Sequence, residues 1–254
     1  VLALFLAAYC WWQGERIKQF WRGFIPACLI LGGISGLVGK EDFGTAVLIG
    51  AVGLAVLLMG GVRWWHLLIW IPILAVAFYV LVYKNEYRWP RVLAYLHGEE
   101  TAQDTAYHAL QSIMAVGAGG IWGVGLGKGT IKQGWVPEDT TDFIFAIIGE
   151  ELGLAGVILV VGLYVLFIVA SMVIIHRARD ELERLMAAGV ALTIGFQAVM
   201  NLMVVTGLAP TKGIALPFVS AGGTGLLITA AAAGVLVNIG RSQATPLSDI
   251  DKEE

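Results

Sequence analysis

Long runs without a single charge constrain this chain more than any other feature. Phe43–Val62 and Trp64–Tyr83 each hold twenty consecutive uncharged residues, and Leu152–Ile175, Leu185–Thr211 and Gly213–Gly240 are longer still. A water-soluble core does not need such stretches, whereas a helix crossing the hydrocarbon layer needs about 20 apolar residues. Composition agrees: of 254 residues, 58% are hydrophobic and only 14% charged, against about 25% charged in soluble domains, and mean hydropathy is +0.79. The expected fold class is all-α, a polytopic integral membrane helical bundle forming one membrane domain over residues 1–254. Adding a partial span at Val1–Gly14 and a short one at Gly23–Gly39 gives about seven spans. The chain opens at Val1 inside an apolar run, with no positively charged leader region and no cleavage site, which reads as a truncated start.

Orientation follows from Lys and Arg in the short loops. Arg16, Lys18, Arg22, Arg63, Arg177, Arg179, Arg184, Arg241 and Lys252 fall on one side, and only Lys40 and Lys212 on the other. The first side is therefore expected to be cytoplasmic, with residues 241–254 as a cytoplasmic tail. Residues 84–142 then form a large extracytoplasmic loop, too long for a passive connector. Its first half is polar, with Arg88, Arg91, Glu99, Glu100 and Asp104. Thr105–Gly127 is uncharged and carries six glycines from Gly117 onward. Such a stretch re-enters a membrane only where protein buries its backbone. An eighth span is the alternative, and it would place Arg177–Arg184 outside.

Net charge is −3, so no basic surface for nucleic acid is expected. Cys10 and Cys28 stand alone in apolar runs as small core residues, and His66, His97, His108 and His176 have no metal spacing. Gly123-Val-Gly-Leu-Gly-Lys128-Gly-Thr130 fails both phosphate-loop spacings. Ser220-Ala-Gly-Gly-Thr-Gly225 reads as close helix contact within a span.

Three places carry chemistry. In Trp135-Val-Pro-Glu-Asp-Thr-Thr-Asp-Phe-Ile-Phe145, Glu138, Asp139 and Asp142 put three carboxylates at the outer mouth of a span. Thr141 or Asp142 would cap the following helix, and a carboxylate at an apolar boundary also suits general-base work. Glu150 and Glu151 lie about 12 Å deeper at helical rise, where an ionisable pair marks an interhelical hydrogen bond or a proton path. Lys212, in the turn Pro210-Thr-Lys-Gly213, either snorkels to headgroups or holds a phosphate, and Asp42 opens onto the same face.

At these residues the chain resembles the SEDS family (shape, elongation, division and sporulation; FtsW/RodA). Glu138–Gly153 is similar to the signature PE-x-HTDFIFA-x-IGEELG. Glu41-Asp-Phe-Gly-Thr-Ala46, Gln111-Ser112 through Gly127, and Pro210-Thr-Lys-Gly with Leu216-Pro-Phe-Val-Ser-Ala-Gly-Gly223 follow in family order. The Lys212 turn resembles the division (FtsW-like) branch. The resemblance implies about ten spans, so this chain would be the C-terminal two-thirds. It implies a bacterial cytoplasmic (inner) membrane enzyme with its active face extracytoplasmic. That enzyme is a peptidoglycan glycosyltransferase polymerising lipid II during cell division. Asp142 would be catalytic, and Lys212, Lys132, Glu138, Asp42 and Ser220 would contact substrate. No tightly bound cofactor and no resident metal site is expected, beyond a divalent cation (magnesium or manganese) assisting the pyrophosphate. Implied partners are a class B penicillin-binding protein, other divisome proteins and membrane lipid. Thr140, Ala221, His108 and Gly225 depart from the family's usual histidine, tyrosine, glutamine and serine. A lipid II flippase is the alternative, with Glu150 and Glu151 as its proton or headgroup sites.

Overall fold

A computed structural model describes residues 1–86, 88–90, 92–93, 105–129, 143–210 and 213–244. All regular structure among them is helical. The elements are α1 (Leu2–Gln13), α2 (Ile25–Glu41), α3 (Phe43–Met59), α4 (Trp70–Phe78), α5 (Thr105–Ala118), α6 (Ile144–Arg177), α7 (Glu181–Val205) and α8 (Gly223–Ala244). Short irregular helical turns extend α2 back to Phe20 and extend α4 to Trp64–Tyr83.

Among the described residues, five helical stretches are long and apolar enough to cross a membrane: Phe20–Glu41, Trp64–Tyr83, Ile144–Arg177, Glu181–Val205 and Gly223–Gln243. α3 is apolar but has 17 residues, about 26 Å at helical rise, and ends at the Gly60-Gly61 turn. With the 12-residue α1, the expected seven spans are all present as helices, the first partial. Their charges sort by end. Arg16, Lys18, Arg63, Arg177 and Arg179 lie at one end, which also exposes Trp11, Trp12, Trp21, Trp64 and Trp65. Tryptophan at the level of the headgroups matches an interfacial belt. The Asp42 turn, Arg88, Phe143 and Thr206 lie at the opposite end.

The bundle is built around α7. Half of its most apolar window is buried, against 6% in α6. The reason is side-chain size: Ala187, Ala188, Gly189, Ala191 and Ala198 are buried on α7, and small residues let helices approach closely when no hydrophobic effect drives them together. α7 separates three apolar clusters. The first joins α1, α2 and α3 through Leu6, Phe24, Leu31 and Val56. A second gathers α5 and α6 on Phe145, Val205 and Leu216. The third holds α6 and α8 against Val190 and Ile194. An almost wholly apolar groove of about 670 Å³, lined by Met59, Ile168, Met172, Phe196 and Val199 among others, runs between α3, α6 and α7.

Two span boundaries differ from the charge-run expectation. The fifth span begins at Ile144 rather than Leu152, so Glu150 and Glu151 are helical. The last span does not begin at Gly213: residues 213–222 are non-helical, and α8 starts at Gly223. Pro217 and the positive φ of Phe218 (65°) break that run, which a count of charges does not register. Phe143 stands at the N-cap of α6, and Thr141 and Asp142, the expected caps, lie outside the described residues. Gly222, Gly223 and Gly225 do not serve close helix contact, because nothing approaches within 4 Å of a Cβ built there.

Arg88 fastens the Asp42 end. Its Nη1 donates to the carbonyls of Gly39 (2.9 Å) and Leu81 (3.2 Å), and its Nη2 to those of Lys40 (2.7 Å) and Glu41 (3.3 Å). Helix C-termini leave their last carbonyls without internal partners, and one guanidinium serves those of α2 and of the Trp64–Tyr83 span together. The Arg88→Ala protein should be destabilised by about 1–3 kcal/mol, read as a lower Tm in detergent, and Arg88→Lys should recover only part of the loss.

Candidate functional site

The structure accounts for the apolar, glycine-rich stretch after Thr105. α5 packs along α6 and α7 and ends at Ala118, and the chain then turns against the middle of α6. There α6 is interrupted: Gly153 has φ 65° and ψ −158°, outside helical geometry. The break strips carbonyls and N–H groups of their helical partners, and the loop supplies replacements. Val124 N–H donates to the Glu150 carbonyl (3.0 Å) and Gly125 N–H to that of Glu151 (3.1 Å). In return, Leu154 N–H donates to the Gly120 carbonyl (2.9 Å) and Ala155 N–H to that of Ile121 (3.3 Å). Loop and interruption therefore satisfy each other, as an apolar interior demands. Leu154 lies about 15 Å below Ile144 at helical rise. α5 and the turn after it thus lie against α6 at this depth, with the side chains of Ile121, Trp122 and Leu126 exposed.

Glycine is required at this junction for space. A Cβ at Gly123 would stand 2.1 Å from the Glu151 carbonyl oxygen, and one at Gly153 would stand 2.4 Å from the Gly123 nitrogen; both residues also have positive φ. The glycine run that fails as a phosphate loop is a close-approach device. Next to it, Glu150 and Glu151 are 2% and 5% exposed. Gly129 lies against both: its Cβ position is 2.8 Å from Glu150 Oε2 and 3.2 Å from Glu151 Oε1. The buried carboxylates thus meet the last described residue of the loop that continues toward Asp142.

A second segment enters from the same end. Residues 213–220 run non-helically between α6 and α7, and side chains from both helices take up their carbonyls. Asn201 Nδ2 donates to Ile214 O (2.6 Å), Gln197 Nε2 to Ala215 O (2.9 Å), and the Tyr164 hydroxyl to Pro217 O. Ser220 closes the segment: its Oγ accepts from Leu216 N–H (2.7 Å), and Ser220 N–H donates to the Leu216 carbonyl (3.0 Å). Gln197, Asn201 and Tyr164 were not among the candidates read from sequence. The available signal was two amides four residues apart within an otherwise apolar span.

Of the candidate site residues, Asp42 and Ser220 are described, and Asp142, Glu138, Lys132 and Lys212 lie outside the described residues. Asp42 N-caps α3, with Oδ1 accepting from Thr45 N–H (3.0 Å) and Oδ2 from the Thr45 hydroxyl. Its neighbour Phe43 lies under the Arg88 guanidinium, 6.0 Å from the ring centre. Asp42 and Ser220 are therefore both engaged in holding turns. No group of three or more His, Cys, Asp or Glu side chains that could hold a metal occurs among the described residues.

Fold and site define a polytopic helical membrane protein with two non-helical segments entering its bundle from one end. The chain belongs to the FtsW/RodA/SpoVE family of cell cycle proteins, whose model matches residues 1–245. A relative from Geobacter metallireducens, named probable peptidoglycan glycosyltransferase FtsW, is 39% identical over 91% of this chain and 62% of its own length. A Coxiella burnetii relative of the same name is 38% identical over 94% of this chain and 65% of its own length. The chain thus spans less than two thirds of these relatives. A solved chain described under "Structural coordination of polymerization and crosslinking by a peptidoglycan synthase complex" superposes with a TM-score of 0.74 at 27% identity, over 96% of this chain and 68% of that one. The Thermus thermophilus rod shape determining protein RodA shares the fold, with a TM-score of 0.55 at 22% identity over 96% of this chain and 66% of its own.

Gly123→Ala and Gly153→Ala should each destabilise the protein by more than about 4 kcal/mol, the range of severe backbone conflict. Thermal unfolding in detergent checks this, and an alanine at Gly222, where space is open, should leave Tm within a degree or two of wild type.

Proposed function

We propose that the protein polymerises lipid II into glycan strands at the outer face of the bacterial cytoplasmic membrane, as a division-type glycosyltransferase of its family. One observation carries the reading most. The family-signature stretches bearing Asp142 and Lys212 are continuous with the two segments that enter the bundle from the same end. A catalyst working on a lipid-linked sugar at a membrane surface needs its groups held on such supports, because reacting atoms must be positioned closely. The names of the relatives support the same activity.

In this reaction the Asp142 carboxylate takes the proton of the acceptor sugar hydroxyl as its oxygen attacks the anomeric carbon of the lipid-linked donor. The bond from that carbon to the pyrophosphate oxygen breaks, and the lipid pyrophosphate leaves with inversion at carbon. Lys212, with Lys132, stabilises the departing negative charge. Glu138 orients the Asp142 loop, while Asp42 and Ser220 shape the turns that border the substrate. A divalent cation, magnesium or manganese, would add Lewis-acid stabilisation of the pyrophosphate. None of these residue roles depends on that cation. A class B penicillin-binding protein is the partner that would cross-link the product.

Transport of lipid II is the second reading, favoured by Glu150 and Glu151 buried beside an interrupted helix, a feature of transporter sites. The carbonyls freed at that interruption are filled by the protein's own loop, which favours a fixed support instead. Reconstituted full-length protein separates the two: polymer formed from lipid II on the outer face supports the enzyme, while translocation without polymer, lost in Glu150→Gln, supports transport. Asp142→Asn should lower the polymerisation rate by roughly 10²–10⁴-fold, the usual contribution of a general base, with Tm and lipid II binding retained. A wild-type rate would remove Asp142 from the mechanism.

A further inference from the structure

We propose that two turns at the Arg16–Arg63 end form a binding surface for an anionic glycerophospholipid of the leaflet at that end. By the orientation expected from the Lys and Arg counts, that leaflet is the cytoplasmic one. The surface lies opposite the end that the irregular segments enter, and it is independent of the polymerase activity.

One turn joins α1 to α2 through residues 14–24, and the other joins α3 to α4 through residues 60–69. They pack as a unit. Atoms of Ile17 and Lys18 lie 3.7 Å and 4.0 Å from a Cβ built at Gly61. The His66 ring sits 5.2 Å from that of Phe20 and 5.3 Å from that of Phe24. The first turn is also held from within. The Tyr9 hydroxyl donates to the Gly23 carbonyl (2.9 Å), and Gln13 Nε2 donates to the Tyr9 hydroxyl (2.9 Å). A Cβ at Gly23 would stand 2.2 Å from the Arg16 carbonyl oxygen, so the chain folds tightly back on itself and carries Arg16 and Arg22 on one compact loop. A backbone fixed before the ligand arrives lowers the cost of ordering on binding.

Charge then selects the ligand. Arg16, Lys18, Arg22 and Arg63 are all exposed on these turns, against one carboxylate, Glu15, which Lys18 pairs at 2.6 Å. Among the described residues, no carboxylate pairs with Arg16, Arg22 or Arg63. Glu181, on the adjoining α7, is engaged by Arg184 (3.5 Å). Three guanidinium groups are left for a phosphate, whose oxygens their planar fork matches in bidentate fashion. The other basic turn at this end is different in kind: Arg177, Arg179 and Arg184 are interleaved with Asp180, Glu181 and Glu183, with no tryptophan among them. The five tryptophans exposed at this end all lie on the two paired turns or at the end of α1, with Trp21 77% exposed. Indole rings sit at headgroup level beside acyl chains. A ligand with both a phosphate and hydrocarbon chains therefore matches the whole surface, whereas a free phosphate uses half of it. Basic clusters beside membrane helices recognise anionic lipid heads in this way.

The test uses the full-length protein, delipidated in detergent and titrated with phosphatidylglycerol, with native mass spectrometry counting the lipids retained. Wild type should bind phosphatidylglycerol about tenfold or more tightly than phosphatidylcholine. Arg16→Gln, Arg22→Gln and Arg63→Gln combined should weaken phosphatidylglycerol binding about tenfold or more, and the control triple of Arg177→Gln, Arg179→Gln and Arg184→Gln should stay within about twofold of wild type. Equal losses in the two triples overturn the proposal, since diffuse positive charge produces that result. Wild-type affinity in the first triple also overturns it. Displacement of the lipid by inorganic phosphate would make this a free-anion site and overturn the lipid assignment. If Tm shows the first triple to be unfolded, Arg63→Gln alone decides: a loss of about fivefold supports the surface, and unchanged affinity overturns it.

Discussion

An apolar interior leaves no backbone polar group without a partner, and the rest of this structure depends on that constraint. Helices meet it internally along α2, α3, α6, α7 and α8. The two places where the chain abandons the helix are those where it had to find partners elsewhere. At Gly153 it found them in a loop, through reciprocal hydrogen bonds between 120–125 and 150–155. In residues 214–217 it found them in the side chains of Asn201, Gln197 and Tyr164. Because both solutions are specific, neither segment is free to drift. Irregular backbone inside a membrane bundle thereby becomes a rigid support for the polar turns at its surface.

Charge is distributed with the same economy. Basic side chains and most of the exposed tryptophans gather at the Arg16–Arg63–Arg177 end, Trp122 in the turn after α5 being the exception among the described residues. At the opposite end, Arg88 is directed to carbonyls, Asp42 to the cap of α3, and Glu150 and Glu151 to the inner turn of the loop before Asp142. Each of these groups orders backbone at the end from which both irregular segments enter. A site assembled by carbonyl-holding side chains on α6 and α7 would inherit the stiffness of the most buried helix in the fold.

Much of the architecture was legible in the sequence, because hydropathy over about twenty residues reports a crossing helix regardless of its neighbours. The spans and the sorting of basic residues by end follow from that reasoning. The start of α8 did not: residues 213–222 are apolar and uncharged, and what keeps them non-helical is a set of hydrogen bonds from distant helices. Gly153 was equally hidden, since a single glycine in a helical run gives no sign that a loop thirty residues earlier will fill its gap. For the site, composition singled out the Glu138–Asp142 cluster, and the motif resemblance assigned the roles. Gln197 and Asn201 could have been found as a polar pair at helical spacing, but their target, a backbone, leaves no mark in sequence.

The proposed activity requires both irregular segments to enter from one face, the extracytoplasmic one. The most direct measurement labels single cysteines with a membrane-impermeant maleimide in intact spheroplasts, after Cys10 and Cys28 are replaced by alanine. Cysteines at Asn85 and Leu208 should react from outside, and those at Arg179 and Gln243 should react only after the membrane is opened. Labelling of Arg179→Cys from outside, or of Asn85→Cys and Leu208→Cys from opposite sides, would contradict the account.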